Sequence, residues 1–197
     1  MWNERFSGED YLFGTEPADF VRRVAPGLPE GKLLSVADGE GRNSVWLAGQ
    51  GHQVTAMDGS EVGVAKARRL AEARGVSVDF HVADIAAWDW TAQPFDVVLG
   101  VFIQFAGPQL RSQIFDGMKA ALRTGGLLLL HGYTPEQLAH GTGGPRAVEN
   151  LYTEDLLRAA FADMEILTLT SYEAEISEGK GHSGRSALID LVARKRA

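Results

Sequence analysis

Three polar sites follow three successive strand-like runs, and their residue types suit the binding of a nucleoside. The stretch Leu33 to Leu47, LLSVADGEGRNSVWL, joins an apolar run to the opening of a helix through a turn, Ala37 to Asn43, with Gly39 and Gly41 at its centre. Glycines there allow backbone conformations and a close ligand approach that a Cβ would block, and a helix N-terminus offers unpaired N–H groups. Taken alone, the turn is equally a tight strand-to-helix connection. Asp58 closes the second run, VTAMD, 17 residues beyond Gly41. A carboxylate at this spacing can accept both hydroxyl hydrogens of a ribose, although Gly59 and Ser60 also suit a turn or capping Asp. Asp84, in HVADIAAWDW after the third run, can accept from an adenine amine while Ile85 covers the ring, or it can cap a helix. In an open parallel sheet the carboxyl ends of the strands line one crevice, so the three sites together point to a ribose-containing ligand.

The elements that must position these sites alternate along the chain. Strand-like runs are Lys32 to Val36, Gln53 to Met57, Ser77 to Val82, Phe95 to Val101 and Gly126 to His131. Between them lie helical patterns: Arg42 to Gly49, Glu61 to Arg74 ending at Gly75, and Gln109 to Arg123 with Leu110, Ile114, Phe115, Met118 and Leu122 on one face. After Tyr133 comes a Gly-rich stretch, HGTGGPR, then a helix over Thr153 to Phe161 with Thr153 as its cap. Two further strands, Glu165 to Tyr172 and Ser186 to Ala193, have only the polar segment EISEGKGHSGR between them. Strands joined without a helix predict an antiparallel hairpin. The expected architecture is therefore α/β: a Rossmann-like, doubly wound, seven-stranded, mostly parallel sheet with a C-terminal antiparallel hairpin, in three α/β/α layers. A single domain over 1–197 is expected, with a segment 1–25 preceding a core of 30–197.

Bulk properties narrow the class. With 19 Lys plus Arg against 26 Asp plus Glu, the net charge of -7 predicts no general attraction to nucleic acid or anionic lipid. The basic cluster ARKRA at Ala193 to Ala197 reads as a solvated terminus. There is no cysteine, which excludes disulfides, thiolate metal sites and a cysteine nucleophile, and the five histidines are too dispersed for a metal site. Neither a Ser-His-Asp order, nor HExxH, nor a P-loop is present, which leaves hydrolase and phosphotransfer chemistry without support. No run of about 18 apolar residues occurs, so a cytoplasmic protein without a membrane partner is expected, monomeric or homodimeric.

The chain resembles the class I S-adenosylmethionine-dependent methyltransferases. The resemblance rests on the turn Ala37 to Asn43, Asp58, the triplet Ala83-Asp84-Ile85, PFDVVLGVF at Pro94 to Phe102, LRTGGLLLL at Leu122 to Leu130, and the closing hairpin. More narrowly, WNERFSGEDYLFGTEP, GEGRN, YTPEQL with GTGGP, and EGKGHSGRSALIDLVARK are similar to the small bacterial branch grouped with tellurite-resistance and thiopurine S-methyltransferases. The resemblance implies S-adenosylmethionine as cofactor and a small-molecule acceptor, with a sulfur, selenium or tellurium centre preferred. It implies that Ala37, Asp38, Gly39, Gly41 and Asn43 approach the methionine portion, Asp58 with Gly59 the ribose, Ala83, Asp84 and Ile85 the adenine, and Gly100 and Val101 the methionine end. Two positions depart from the commoner pattern: Ser35 stands where an Asp is frequent, and Ala37 where a Gly is frequent. Glu40, Asp38 or Glu16 are candidates to replace the missing acid, against the alternative of solvated surface acids. Ala37 is expected to keep ordinary strand-end geometry.

Methyl transfer from a sulfonium is an in-line displacement that chiefly requires alignment; a soft nucleophile needs little base assistance, whereas a hydroxyl or amine can need one. The base candidates are His131, Tyr133 and His182, followed by His140 and Asp96, and each histidine has the alternative of a satisfied or solvated side chain. Gln104 and Phe105, after the fourth strand, are expected to line the substrate side. Trp2, Phe6, Tyr11 and Phe13 are expected to form an aromatic lid, or else to pack on the sheet edge. An NAD-dependent oxidoreductase would share the turn and Asp58, but Ser44 occupies the third glycine position of the dinucleotide fingerprint. A protein that binds S-adenosylmethionine without catalysis is the other alternative.

Overall fold

A computed structural model describes residues 1–197. Its seven strands are β1 (Lys32–Val36), β2 (Gln53–Asp58), β3 (Asp79–Val82), β4 (Phe95–Val101), β5 (Leu122–Tyr133), β6 (Glu165–Glu178) and β7 (His182–Arg194). They form one sheet in the order β3-β2-β1-β4-β5-β7-β6. The pairs from β3 to β5 are parallel, whereas β7 runs antiparallel to both β5 and β6. The helices are α1 (Trp2–Arg5), α2 (Asp19–Val24), α3 (Arg42–Gly49), α4 (Glu61–Arg74), α5 (Pro108–Ala121), α6 (Gln137–His140) and α7 (Glu154–Ala160).

Strand side chains alternate between two cores, as a period of two requires. On one face Leu34 and Val36 of β1, Val98 of β4 and Leu128 and Leu130 of β5 pack against Ile114, Phe115 and Met118 of α5 and Leu157 of α7. On the other, Leu33, Val97, Leu99 and Leu129 pack against Phe20 and Val21 of α2 and Leu47 of α3. Both faces of the central strands are buried, which explains why their sequences read as continuous apolar runs. Helix starts follow local chemistry: Ser60 Oγ accepts from the Gly63 N–H at 3.0 Å, Thr153 Oγ1 from the Leu156 N–H at 3.1 Å, and Pro108 opens α5.

Three expected boundaries differ. β3 starts at Asp79, two residues later than the apolar run, and β5 begins at Leu122, immediately after α5. The third concerns the final hairpin, where most of the segment expected as a polar connection is strand. Glu175 pairs with Arg185, Ile176 with Gly184, Ser177 with Ser183 and Glu178 with His182, leaving a turn at Gly179 to Gly181. Pairing with a neighbour overrides weak local propensity, and polar residues on an edge strand face water without breaking the ladder.

Candidate cofactor crevice

The carboxyl ends of β1, β2, β3 and β4 surround one cavity of about 730 Å³. Ser35, Ala37, Asp38, Gly39, Arg42 and Asn43 line it from β1 and the turn, and Asp58, Gly59, Ala83, Asp84 and Ile85 from the next two strand ends. The turn is strained where ordinary geometry was expected: Ala37 has φ +49°. Phe102, just past the adjacent β4, has φ +54°. These are the two non-glycine residues with positive φ, a conformation that costs an L-residue on the order of 1 kcal/mol, and both border the cavity.

Gly39 (φ +64°) donates its N–H to Asp58 Oδ2 at 2.8 Å, and Ser60 N–H donates to Oδ1 at 2.7 Å. Asp58 therefore ties the first turn to the second strand while lining the cavity, and burial raises its carboxyl above the usual range. Gly41 does not line the cavity; at φ +88°, a Cβ there would lie 2.6 Å from the Ala67 Cβ, so this glycine serves the packing of α3 on α4. Asp38 is bridged by two hydroxyls, Ser35 Oγ to Oδ1 at 2.7 Å and Ser44 Oγ to Oδ2 at 2.5 Å. Burial pushes it up to about 6, the hydroxyls oppose the shift, and Asp58 adds to it. Asp84 accepts from the Ala86 N–H at 2.9 Å in an exposed turn, so its turn role and its place on the cavity coexist.

The two other acids considered beside Ser35 lie elsewhere. Glu40 is buried: Oε1 accepts from Lys66 Nζ and Oε2 from the Leu12 N–H, each at 2.7 Å, so it anchors the N-terminal segment. Glu16 is exposed and pairs with Arg22 and Arg74.

Val101, Phe102, Gln104, Phe105 and Tyr133 line the end of the cavity beyond β4. Gly100 does not; a Cβ there would meet Ile103 and Met118 at 2.9 and 3.1 Å, in the α5 core. Gln104 has no free amide: Nε2 donates to the Tyr133 carbonyl at 2.8 Å and Oε1 accepts from the Tyr133 N–H at 2.7 Å, pinning the end of β5. Among the base candidates, His131 is buried away from the cavity, with Nδ1 2.6 Å from Asp190 Oδ1 and its ring stacked on Phe20. His140 pairs with Glu173, and Asp96 accepts from the Lys32 N–H at the opposite end of the strands. Neither His52 nor His81 lines the cavity.

His182 is not a loop residue; it opens β7, is buried, and lines the cavity between Phe13 and Phe102, whose ring centroids are 4.4 and 4.1 Å away. Its Nδ1 lies 2.5 Å from the Tyr133 hydroxyl. Burial, then Arg42 and His131, hold the imidazole well below its ordinary pKa, and burial with Glu178 raises Tyr133. Both groups are neutral near pH 7.

Within the N-terminal segment, Trp2, Phe6 and Phe13 line the cavity, whereas Tyr11 packs outside it with its hydroxyl on the Lys66 carbonyl. Lys66 Nζ also donates to the Asp10 carbonyl at 2.7 Å, and Gly181 N–H to the Leu12 carbonyl at 3.0 Å, so α4 and the β6–β7 turn hold the segment from two sides. Sequence reasoning missed one partner, Arg42. Its Nη2 bonds Glu178 Oε2 at 2.8 Å in a buried ion pair beside His182, and 136 residues separate the pair in the chain. No local pattern could pair them; the Arg of GEGRN was its one visible member.

A methyltransferase-domain family model matches residues 33–126. The tRNA 5-carboxymethoxyuridine methyltransferase of Escherichia coli K12 is 32% identical over 115 residues, 56% of this chain and 41% of that protein. The ubiquinone biosynthesis O-methyltransferase of Methylocella silvestris is 38% identical over 80 residues, 40% of this chain and 31% of that one. The chain thus spans less than half the length of these relatives. Among solved structures, one described for conversion of a disulfide bond into a thioacetal group during echinomycin biosynthesis has a TM-score of 0.80 at 21% identity, covering 98% of this chain and 88% of that one. TehB from Haemophilus influenzae has a TM-score of 0.73 at 22% identity, covering 89% and 61%. Such low identities speak to the fold, and the family match speaks to the segment that builds the crevice. Residues 33–126 are thus similar to a methyltransferase domain, and the chain as a whole has the class I methyltransferase fold.

Proposed function

We propose that the chain binds S-adenosylmethionine in this crevice and transfers its methyl group to a small acceptor held near Phe13, Phe102, Phe105 and the His182–Tyr133 pair. The cofactor supplies an electrophilic methyl on a sulfonium, and the protein's task is alignment with exclusion of water. Ala37, Asp38, Gly39 and Asn43 are assigned to the methionine portion, Asp58 and Gly59 to the ribose, Ala83, Asp84 and Ile85 to the adenine, and Val101 to the methyl end. The donor set fits that ligand: buried acids suit its cationic groups, each Asp58 oxygen keeps a lone pair for a ribose hydroxyl, and Met57, Val82 and Ile85 offer apolar surface to a base.

A sulfur, selenium or tellurium centre is the preferred acceptor, and the observation that carries this is the His182–Tyr133 pair. The histidine facing the cavity is held neutral and far from an effective base, which favours an acceptor that arrives already nucleophilic. The buried Arg42 beside it favours an anionic one. The relatives' names point to other acceptors, a tRNA nucleoside and a ubiquinone precursor. The net charge of -7 argues against a polyanion, and no helix is long and apolar enough to cross a membrane. We assign the chain a free small-molecule substrate and a cytoplasmic location, as a monomer or homodimer.

Release of S-adenosylhomocysteine measured against a panel of thiols, selenite and tellurite, a catechol and bulk tRNA tests this. Turnover highest with a thiol or a metalloid oxyanion is expected; faster turnover of the catechol or tRNA would overturn the acceptor assignment.

A further inference from the structure

The Tyr133 hydroxyl and His182 Nδ1 lie 2.5 Å apart, and each is the other's one hydrogen-bond partner. The direction of that bond follows from counting protons. A phenol carries one hydrogen, and a neutral imidazole carries one across its two nitrogens. If His182 donated from Nδ1, the Tyr133 hydrogen would be left without an acceptor in a fully buried side chain, the costliest place for an unmade bond. With Tyr133 donating, both groups are satisfied and the imidazole proton stands on Nε2. Burial, then Arg42, His131 and Arg5, disfavour a second proton, so the ring stays neutral.

The surroundings preserve this bond. The glycines of GTGGP lie against it: a Cβ on Gly143 would come within 2.9 Å of the Tyr133 hydroxyl and 3.4 Å of His182 Nδ1, and one on Gly144 within 2.7 Å of the Tyr133 ring. Bare backbone therefore closes over the hydroxyl where a side chain would displace it. Phe13 and Phe102 stack on the imidazole at interplanar angles of 21° and 19° and fix its plane. Nε2 has no protein partner, yet it is not one of the sealed atoms that lack one, which are Arg42 Nη1 and His52 Nδ1, so it is open to the cavity that His182 lines.

We infer that Tyr133 locks His182 as the Nε2–H tautomer, and that His182 serves the methyl acceptor as a fixed hydrogen-bond donor to an anionic oxygen, not as a base. The identity of that ligand rests on the methyltransferase reading of the crevice; the lock does not. Tyr133 acts through His182 and is a positioning residue. The GTGGP segment gains a function as the cover that keeps a competing acceptor from the hydroxyl.

Nitrogen NMR spectra of the full chain, isotopically labelled at histidine and with His182 assigned by its loss in His182→Gln, report which ring nitrogen carries the proton and need neither cofactor nor acceptor. At pH 7.5 a protonated Nε2 and a bare Nδ1 are expected, and Tyr133→Phe should abolish that preference. A proton on Nδ1, a charged ring, or an unchanged tautomer in folded Tyr133→Phe would overturn the lock; the unsubstituted protein decides the tautomer even if the Phe variant does not fold. Selenite probes the donor, since the chain has no cysteine for it to oxidise. With S-adenosylhomocysteine bound, millimolar selenite should shift the Nε2–H resonance. His182→Gln, whose amide keeps a donor but cannot act as a base, should bind selenite within about threefold of the unsubstituted protein, and His182→Ala about tenfold more weakly. Equal binding in all three, or an unmoved Nε2–H, would overturn the donor role with the cofactor reading intact. Failure to bind S-adenosylmethionine or S-adenosylhomocysteine would overturn that reading and the acceptor role with it, while the lock stands or falls on the spectra alone.

Discussion

Asp38 and Asp190 are both carboxylates raised by burial, yet their partners give opposite consequences for stability. Asp38, pushed up to about 6, holds its proton more tightly in the folded chain than in the unfolded one. Its contribution to stability is complete below the unfolded value near 3.8 and is lost as pH rises through 6, so at neutral pH the ionised group costs the unliganded fold about 3 kcal/mol. Asp38→Asn should therefore raise the Tm of the ligand-free protein by several degrees at pH 7.5 and change it little at pH 4.5, measured by scanning calorimetry. Asp190 is the converse. Burial pushes its carboxyl up, but His131 and Arg23 outweigh that and hold it below the ordinary range, so its contribution is present above about 4 and is lost as pH falls through the lower folded value. Removing it strands His131 in the core, and Asp190→Ala should cost about 3 kcal/mol in urea unfolding without altering cofactor affinity in the folded fraction.

Between elements, the contacts of greatest consequence are those that fasten the N-terminal segment. Lys66 of α4 ties down Asp10 and Glu40, Glu40 in turn holds Leu12, and the β6–β7 turn closes on Leu12 and Phe13. This clasp carries Phe13 to its stack on His182 and Phe6 to the wall beside Gly39. Lys66→Ala leaves Glu40 buried without its cation, and limited proteolysis should then cut within Met1 to Pro17 well before the core. Deletion of Met1 to Pro17 should weaken S-adenosylhomocysteine in calorimetry if the segment acts as a lid; unchanged affinity in a folded variant would sink that role. The elements themselves were largely visible in the residues. Periodicity and glycine ends marked α3 and α4 to the residue, because capping and burial act locally. The β6–β7 extension was not visible, because its ladder depends on a partner strand and its residues face water.

Taken as a whole, the molecule is acidic, and its crevice is lined by Asp38, Asp58 and Asp84 together with Arg5 and Arg42, the latter paired to Glu178. The net charge of -7 gives the molecule as a whole no attraction for a phosphate backbone. Bulk tRNA should give no mobility shift with micromolar protein at 150 mM salt, and a shift abolished by added S-adenosylhomocysteine would place RNA in the crevice. The amino-acid sequence by itself determined the parallel sheet, its closing hairpin and the order of the turn, Asp58 and Asp84, since each is written in patterns spanning a few residues. Only the tertiary structure decided what those residues touch. It moved His131, Gly41, Gly100 and Tyr11 away from the cavity, gave Gln104 to the backbone, and brought Arg42, Phe13 and Tyr133 around His182 from distant parts of the chain. A side chain's partner is set by which elements the chain brings together, and spacing marks the face that is buried without saying what packs against it.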